Sequence, residues 1–154
     1  MTLDEHIRHL GGLVTNFHAL EFLLRAFLQN LAGARPVGVP YGTDIYSFPV
    51  GSYLPESELT SYDSLGQLIT KYNEEMKKRG LPLIDASLVD VRDAIAHGRV
   101  SSEIADDMRL LKFDKPANGR VQITFNEKLT ESWFNSQKKR VYGTIQAVYE
   151  KVKP

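Results

Sequence analysis

Cysteine is absent from the 154 residues, which excludes thiol nucleophiles, redox dithiols and cysteine-based zinc fingers. No stretch of about 18 uncharged apolar residues occurs, the length a membrane span needs. The amino terminus lacks the basic-then-apolar layout of a secretory leader, so a cytoplasmic location without a membrane is expected. Neither sign of charge is in excess, with 19 basic against 19 acidic side chains, which argues against a histone-like positive coat. A local basic groove stays open, because a phosphate reads the field within about 10 Å rather than the sum over the molecule. A Gly-rich phosphate loop, a serine nucleophile elbow and paired catalytic carboxylates are missing as well. What is present suffices for a core: 42% of residues are apolar, and a chain of this length needs no metal or disulfide staple.

The pattern reads as mainly α, in one domain over residues 1–154. Thr2-Leu3-Asp4-Glu5 is a capping box that opens a helix of about 30 residues. Its expected seam runs through Leu3, Ile7, Leu10, Val14, Phe17, Leu24, Leu28 and Leu31, at alternating steps of four and three apart from one step where Glu21 takes the expected apolar place. Gly11-Gly12 weakens that helix and permits a bend or a close contact. Glu21 sits on the seam with Arg25 four residues on, the spacing of a local ion pair; the sharper alternative makes it a buried anchor for a cation from another helix.

Residues 33–60 hold Gly33, Pro36, Gly38, Pro40, Gly42, Pro49, Gly51 and Pro55 with Tyr41, Tyr46, Phe48 and Tyr53 between them. This is a long loop whose aromatics either pin it to the core, the commoner use, or stack on bases. A second helix is expected over about 63–79, with Leu65, Leu68, Ile69, Tyr72 and Met76 inward and Gly80 as its stop. Its last turn, Lys77-Lys78-Arg79, complements the helix dipole or tracks phosphates. A third helix is expected from about Ile84 to His97, with Leu88, Val91 and Ile95 inward and Gly98 ending it. Around Pro116-Ala117-Asn118-Gly119 the flanks 109–114 and 120–125 alternate, which predicts a β-hairpin insertion. A fourth helix begins near Thr130 and closes a four-helix bundle.

The third helix carries the chemistry-bearing cluster, Arg92-Asp93-Ala94-Ile95-Ala96-His97-Gly98-Arg99. At 100° per residue Asp93 and His97 lie about 40° apart, so the carboxylate can orient the imidazole. Arg92 and His97 lie about 140° apart and do not converge on one phosphate within an undistorted helix. Unwinding at Gly98, or two copies meeting across a twofold axis, would bring them together.

The Arg-polar-x-x-x-His spacing of Arg92, Asp93 and His97 resembles the signature of the HEPN superfamily, the higher eukaryotes and prokaryotes nucleotide-binding domains. Ala19-Leu20-Glu21-Phe22-Leu23-Leu24-Arg25 is similar to the Leu-Glu-x-x-Leu-Arg run of their first long helix. The resemblance implies a HEPN-like four-helix bundle that dimerises and cuts RNA as a metal-independent endoribonuclease. On that basis Arg92 neutralises the scissile phosphate, His97 is general acid or base for attack by the ribose 2′-hydroxyl, and Asp93 tunes the site. Glu21 is the supporting residue, and Arg99 with Lys77, Lys78 and Arg79 are the candidate RNA contacts. No cofactor and no metal ligands are expected. The partners implied are RNA, a second copy of the chain and, in a toxin–antitoxin or host-defence setting, an antitoxin or regulatory protein. One departure stands out: related toxins carry a nucleotide-accepting tyrosine two places after the histidine, where this chain has Arg99.

Blander readings compete. His6 and His9 lie three apart beside acids, but beside the seam rather than around a cavity, so packing outweighs metal binding. Lys138-Lys139-Arg140 reads as a solvated face, with RNA tracking as the alternative. Arg92 could simply brace the bundle through Glu21, which would leave a non-catalytic dimerisation or nucleotide-binding module.

Overall fold

A computed structural model describes residues 1–31, 44–101 and 108–152. Among them the chain is mainly helical with one small antiparallel sheet. In chain order the elements are α1 (Leu3–Leu31), a 3-10 turn (Ile45–Ser47), α2 (Leu65–Lys78), α3 (Leu88–His97), β1 (Arg99–Ser101), β2 (Arg109–Phe113), β3 (Ile123–Lys128) and α4 (Glu131–Val152). They distribute over two compact units, one made of Met1–Leu20 and Asp85–Gln146, the other of Glu21–Ile84 and Ala147–Pro154.

The first unit is built on the amino-terminal part of α1, on α3, on the sheet and on most of α4. The capping box forms as expected: Thr2 N donates to Glu5 Oε2 at 2.7 Å and Glu5 N to Thr2 Oγ1 at 3.2 Å. Those two bonds hold the Glu5 carboxyl below its ordinary range. The expected buried line holds at Phe17, Leu24 and Leu28 but not in the first turns of the helix. Leu3 and Ile7 are 61% and 57% exposed, while His6, Leu13, Phe17 and Leu20 are buried. The reason lies on α4, where the fully buried Phe134 meets the His6 ring edge-on at 5.5 Å and the His9 ring at 5.4 Å. An aromatic ring prefers such edge and tilted partners, so imidazoles take the places expected for aliphatic side chains. Gly11 has nothing within 4 Å of where a Cβ would stand, and at Gly12 the neighbour is only the flexible end of Lys138. Among the described residues no close backbone contact explains this pair.

Helix α3 begins later than its apolar pattern suggests. Asp85 Oδ1 accepts from Ser87 N at 2.9 Å, and Oδ2 accepts from Ser87 Oγ at 2.8 Å and from Arg140 Nη2 at 2.7 Å. These side-chain bonds offer the backbone an alternative to the helix over 85–87, and they depress the Asp85 carboxyl, the Ser87 backbone bond most of all. From Leu88 on, Leu88, Val91 and Ala94 face the core.

The hairpin turn forms where Asn-Gly predicts it, with Asn118 at φ 51° and Gly119 at φ 73° between the paired Ala117 and Arg120. Positive φ at both central residues is the requirement of the tight hairpin turn. The second strand of the hairpin lies three residues later than expected, at Ile123–Lys128, and the sheet has three strands in the order β1-β2-β3 rather than two.

The second unit holds its own core, including Leu24, Phe27, Leu65, Leu68, Ile69, Tyr72 and Met76. Ser64 and Gln67 cap α2 reciprocally, and Gly80, at φ 65°, ends it. There Leu81 N donates to Met76 O and Gly80 N to Lys77 O, satisfying carbonyls the helix leaves orphaned. Arg25 reaches from α1 to the 58–63 segment, donating to Glu58 O (3.4 Å), Ser61 O (2.8 Å), Ser61 Oγ (2.7 Å) and Asp63 O (2.6 Å). Lys71 adds ion pairs to Glu58 at 3.0 Å and Asp63 at 2.8 Å. The Lys71 bond lowers the Asp63 carboxyl, and the two carboxylates raise Lys71. Polar contacts thus order this segment. Tyr46 and Tyr53 are 74% and 100% exposed, so these aromatics do not pin the loop to the core, although Tyr46 approaches the Phe22 ring at 6.2 Å. Tyr41 and the Gly/Pro positions from Gly33 to Gly42 fall outside the described residues.

Candidate active site

The end of α3 is followed by β1 after a single residue, Gly98. Its backbone is extended (φ −74°, ψ 173°) and its N–H donates to Ala94 O at 2.7 Å. Glycine is required here for space, not for a left-handed φ. A Cβ would stand 2.3 Å from Ala94 O, 2.6 Å from Leu110 Cδ1 and 3.0 Å from Leu111 O. Helix α3 and strand β2 therefore come together over a bare backbone, and the helix does not unwind: His97 is its last residue.

Strand β1 pairs antiparallel with β2, Arg99 opposite Leu111. The period-two pleat sorts the side chains of β2. Leu110 and Lys112 share one face: Leu110 is buried beneath Gly98, and Lys112 Nζ stands 3.7 Å from Asp93 Oδ2. Phe113 belongs to the other set and lies diagonally from Arg99, whose Cζ is 5.3 Å from the ring centroid. The ladder between β2 and β3 slips at this point: Lys112 faces Phe125 while Phe113 faces Ile123. One extra residue, Thr124, is accommodated as a bulge, a device that re-aims a neighbouring side chain.

His97, Arg99, Phe113, Asp114, Pro116 and Val121 line an open cleft of about 240 Å³. His97 and Arg99 are exposed. Phe113 supplies a flat apolar wall and Arg99 a cation stacked on it, an arrangement favoured by the ring's quadrupole.

Of the residues expected to act together, the structure joins some and separates others. Arg92 and Asp93 are adjacent and paired, Nη1 to Oδ1 at 3.3 Å, each about one third exposed. The Asp93 carboxylate is shared between Arg92 and Lys112, and among the described residues no hydrogen bond joins it to the His97 ring. The expected orienting role of Asp93 toward His97 is thus corrected: the carboxylate faces two permanent cations instead, and charge-assisted pairs are the stronger ones. His97 and Arg99 share the cleft; Arg92 and Asp93 do not line it. Glu21 is half-buried on α1. Lys77, Lys78 and Arg79 belong to the second unit. There Lys78 and Arg79 make exposed pairs with Glu75 at 3.3 and 2.8 Å. The Lys138-Lys139-Arg140 run is similarly engaged: Lys138 Nζ lies 3.1 Å from His9 Nδ1, and Arg140 binds Gln137, Asp85 and Ser87.

Lys112, Phe113 and Asp114 were not among the residues the sequence singled out, because their place depends on β1 pairing and on the bulge. Among the described residues no group of three or more His, Asp or Glu side chains is arranged to hold a metal ion, and no helix is long and apolar enough to cross a membrane. No protein-family model, curated protein or solved structure matches this chain.

Proposed function

We propose that the chain is a metal-independent endoribonuclease of HEPN type, acting as a homodimer through a composite site. The observation that carries this reading is an exposed imidazole, His97, on the rim of a cleft it shares with Arg99 and an aromatic wall. In the proposed reaction His97 takes the proton of a ribose 2′-hydroxyl or returns one to the leaving oxygen. The 2′-oxygen attacks the adjacent phosphorus, the 5′-oxygen departs with a proton, and a 2′,3′-cyclic phosphate results. The nucleophile belongs to the substrate, so RNA is cut and DNA is inert. Arg92 neutralises the phosphate with its planar fork, steadied by Asp93. Because Arg92 and His97 face different surroundings in one copy, the second copy supplies the complementary group. Arg99 adds an RNA contact. A cytoplasmic toxin or host-defence role, with an antitoxin or regulatory protein, fits this chemistry.

The pairing of Asp93 with Arg92 and Lys112, away from His97, favours a second reading, a nucleotide-binding or dimerisation module without catalysis. The two separate in one experiment. Wild type and His97→Ala are incubated with structured and single-stranded RNA in chelator, and the product ends are analysed. Cleavage to cyclic-phosphate ends by wild type, reduced at least 100-fold in the variant, is expected. Inactivity on every RNA favours the module, and activity abolished by chelator overturns the proposed chemistry.

A further inference from the structure

We infer that the cleft beside His97 is a guanine subsite, selecting a guanine base by the joint action of Arg99, Phe113 and Asp114. The inference deepens the RNA reading above, and rests on it for the claim that the selected base lies next to the cut.

Size comes first. At about 240 Å³ the open cleft is smaller than the roughly 300 Å³ at which pockets for drug-sized ligands begin, a size that suits one ring system. Its apolar surfaces, Phe113, Pro116 and Val121, suit a flat aromatic face. Pro116 and Val121 flank the Ala117–Arg120 pair at the neck of the hairpin, and the tight turn beyond that pair holds this neck in place.

The polar groups decide which ring. Arg99 has only donors, and its Cζ lies over the Phe113 ring at 5.3 Å from the centroid, which leaves the planar fork available to paired acceptors. Asp114, as a carboxylate, has only acceptors. Its Oδ1 accepts from Lys115 N at 2.7 Å, and its own backbone N–H donates to Gln122 O at 2.9 Å. Both bonds fix the residue at the cleft, and Oδ2 together with a second lone pair on Oδ1 remains for a ligand. Among the described residues no ion pair joins Arg99 to Asp114, so the two charges do not cancel each other. A base that satisfies both must present side-by-side acceptors to a fork and side-by-side donors to a carboxylate. Guanine does so, with O6 and N7 on one edge and N1–H and N2–H₂ on the other. Adenine, cytosine and uracil each lack at least one of these pairs.

The test measures binding apart from cleavage. Guanosine, adenosine, cytidine and uridine, guanosine 5′-monophosphate, and 2′-O-methyl oligonucleotides that cannot be cut, with or without a single guanine, are titrated against wild type and Asp114→Asn. Circular dichroism confirms that the exposed substitution leaves folding intact. Expected is a preference for guanosine of about tenfold or more, the discrimination of one good bidentate pair, which Asp114→Asn erases. The same preference for the single-guanine oligonucleotide identifies a base within RNA as the ligand; a preference confined to the nucleoside and monophosphate assigns the subsite to free guanine nucleotides. Equal binding of all four nucleosides, or a preference that survives Asp114→Asn, overturns the subsite. Guanine preference in a protein that cuts no RNA leaves the subsite standing and removes the nuclease reading; cleavage without base preference does the reverse.

Discussion

Arg25 and Arg99 carry the same side chain and are used in opposite ways. In the second unit Arg25 donates to three main-chain carbonyls and a hydroxyl, drawing the 58–63 segment onto α1. In the first, Arg99 lies over Phe113 at the rim of a cleft and is exposed. A guanidinium that gathers several main-chain carbonyls is architecture, because its removal takes a charged donor from all of them at once. A guanidinium steadied by an aromatic face keeps its hydrogen-bonding capacity for something outside the chain. The same contrast separates Lys71, consumed by Glu58 and Asp63, from His97 on the cleft.

The largest way to disturb this contrast is Gly98→Ala. The new methyl group meets backbone oxygens that cannot move aside, so a loss of about 3 kcal/mol or more is expected in urea denaturation, with the cleft lost too. A milder change with retained ligand binding would mean that the α3–β1 junction yields more easily than its contacts indicate. Next come the two arginines themselves. Arg25→Met should cost about 2–3 kcal/mol and speed amide exchange over 58–63, since charge-assisted bonds are lost. Arg99→Met, at an exposed site, should stay within about 0.5 kcal/mol of wild type while weakening nucleoside binding. Equal destabilisation by both would erase the distinction drawn between them.

The smallest expected effect concerns pH. Burial, and secondarily the nearby His9, pushes His6 below its ordinary value of 6.5. Among the described residues its buried Nδ1 has no hydrogen-bond partner, Phe134 meets its ring from α4, and Lys138 stands on His9. The unfolded chain takes up a proton near pH 6.5 and the folded one only at lower pH. Stability is therefore full above 6.5 and falls as the pH drops below it. Urea midpoints at pH 7.5 and 5.5 should show this decline in wild type and a shallower one in His6→Phe. An identical decline in both would assign the effect to other groups.

Much of the fold was legible in the sequence where local chemistry decides. Thr2 with Glu5, Asn118-Gly119 and Gly80 each act over four or five residues, and the helices and the hairpin turn formed where these signals stand. The seam of α1 holds at Phe17, Leu24 and Leu28 but departs from its pattern in the first turns, because periodicity weighs aliphatic residues and carries nothing of Phe134, more than a hundred residues later, which meets the His6 ring. The start of α3 was misread because Asp85 and Ser87 compete for the backbone. Strand β1 left no trace, since Arg99, Val100 and Ser101 are exposed and owe their extended state to β2. At the candidate site, the sequence brought out Arg92, Asp93, His97 and Arg99 together, while the partners of Asp93 and the walls of the cleft lay beyond it.

By itself, then, the sequence determined where chain segments begin, turn and stop, and which chemically capable side chains stand at the end of α3, because caps, turns and periodicity are short-range. Only the tertiary structure decided which of those side chains are spent and which face a cleft. Lys112 reaches Asp93, and Phe113 stacks under Arg99, through a strand pairing and a bulge that no local pattern encodes. Whether a charge is consumed depends on what the rest of the chain places beside it.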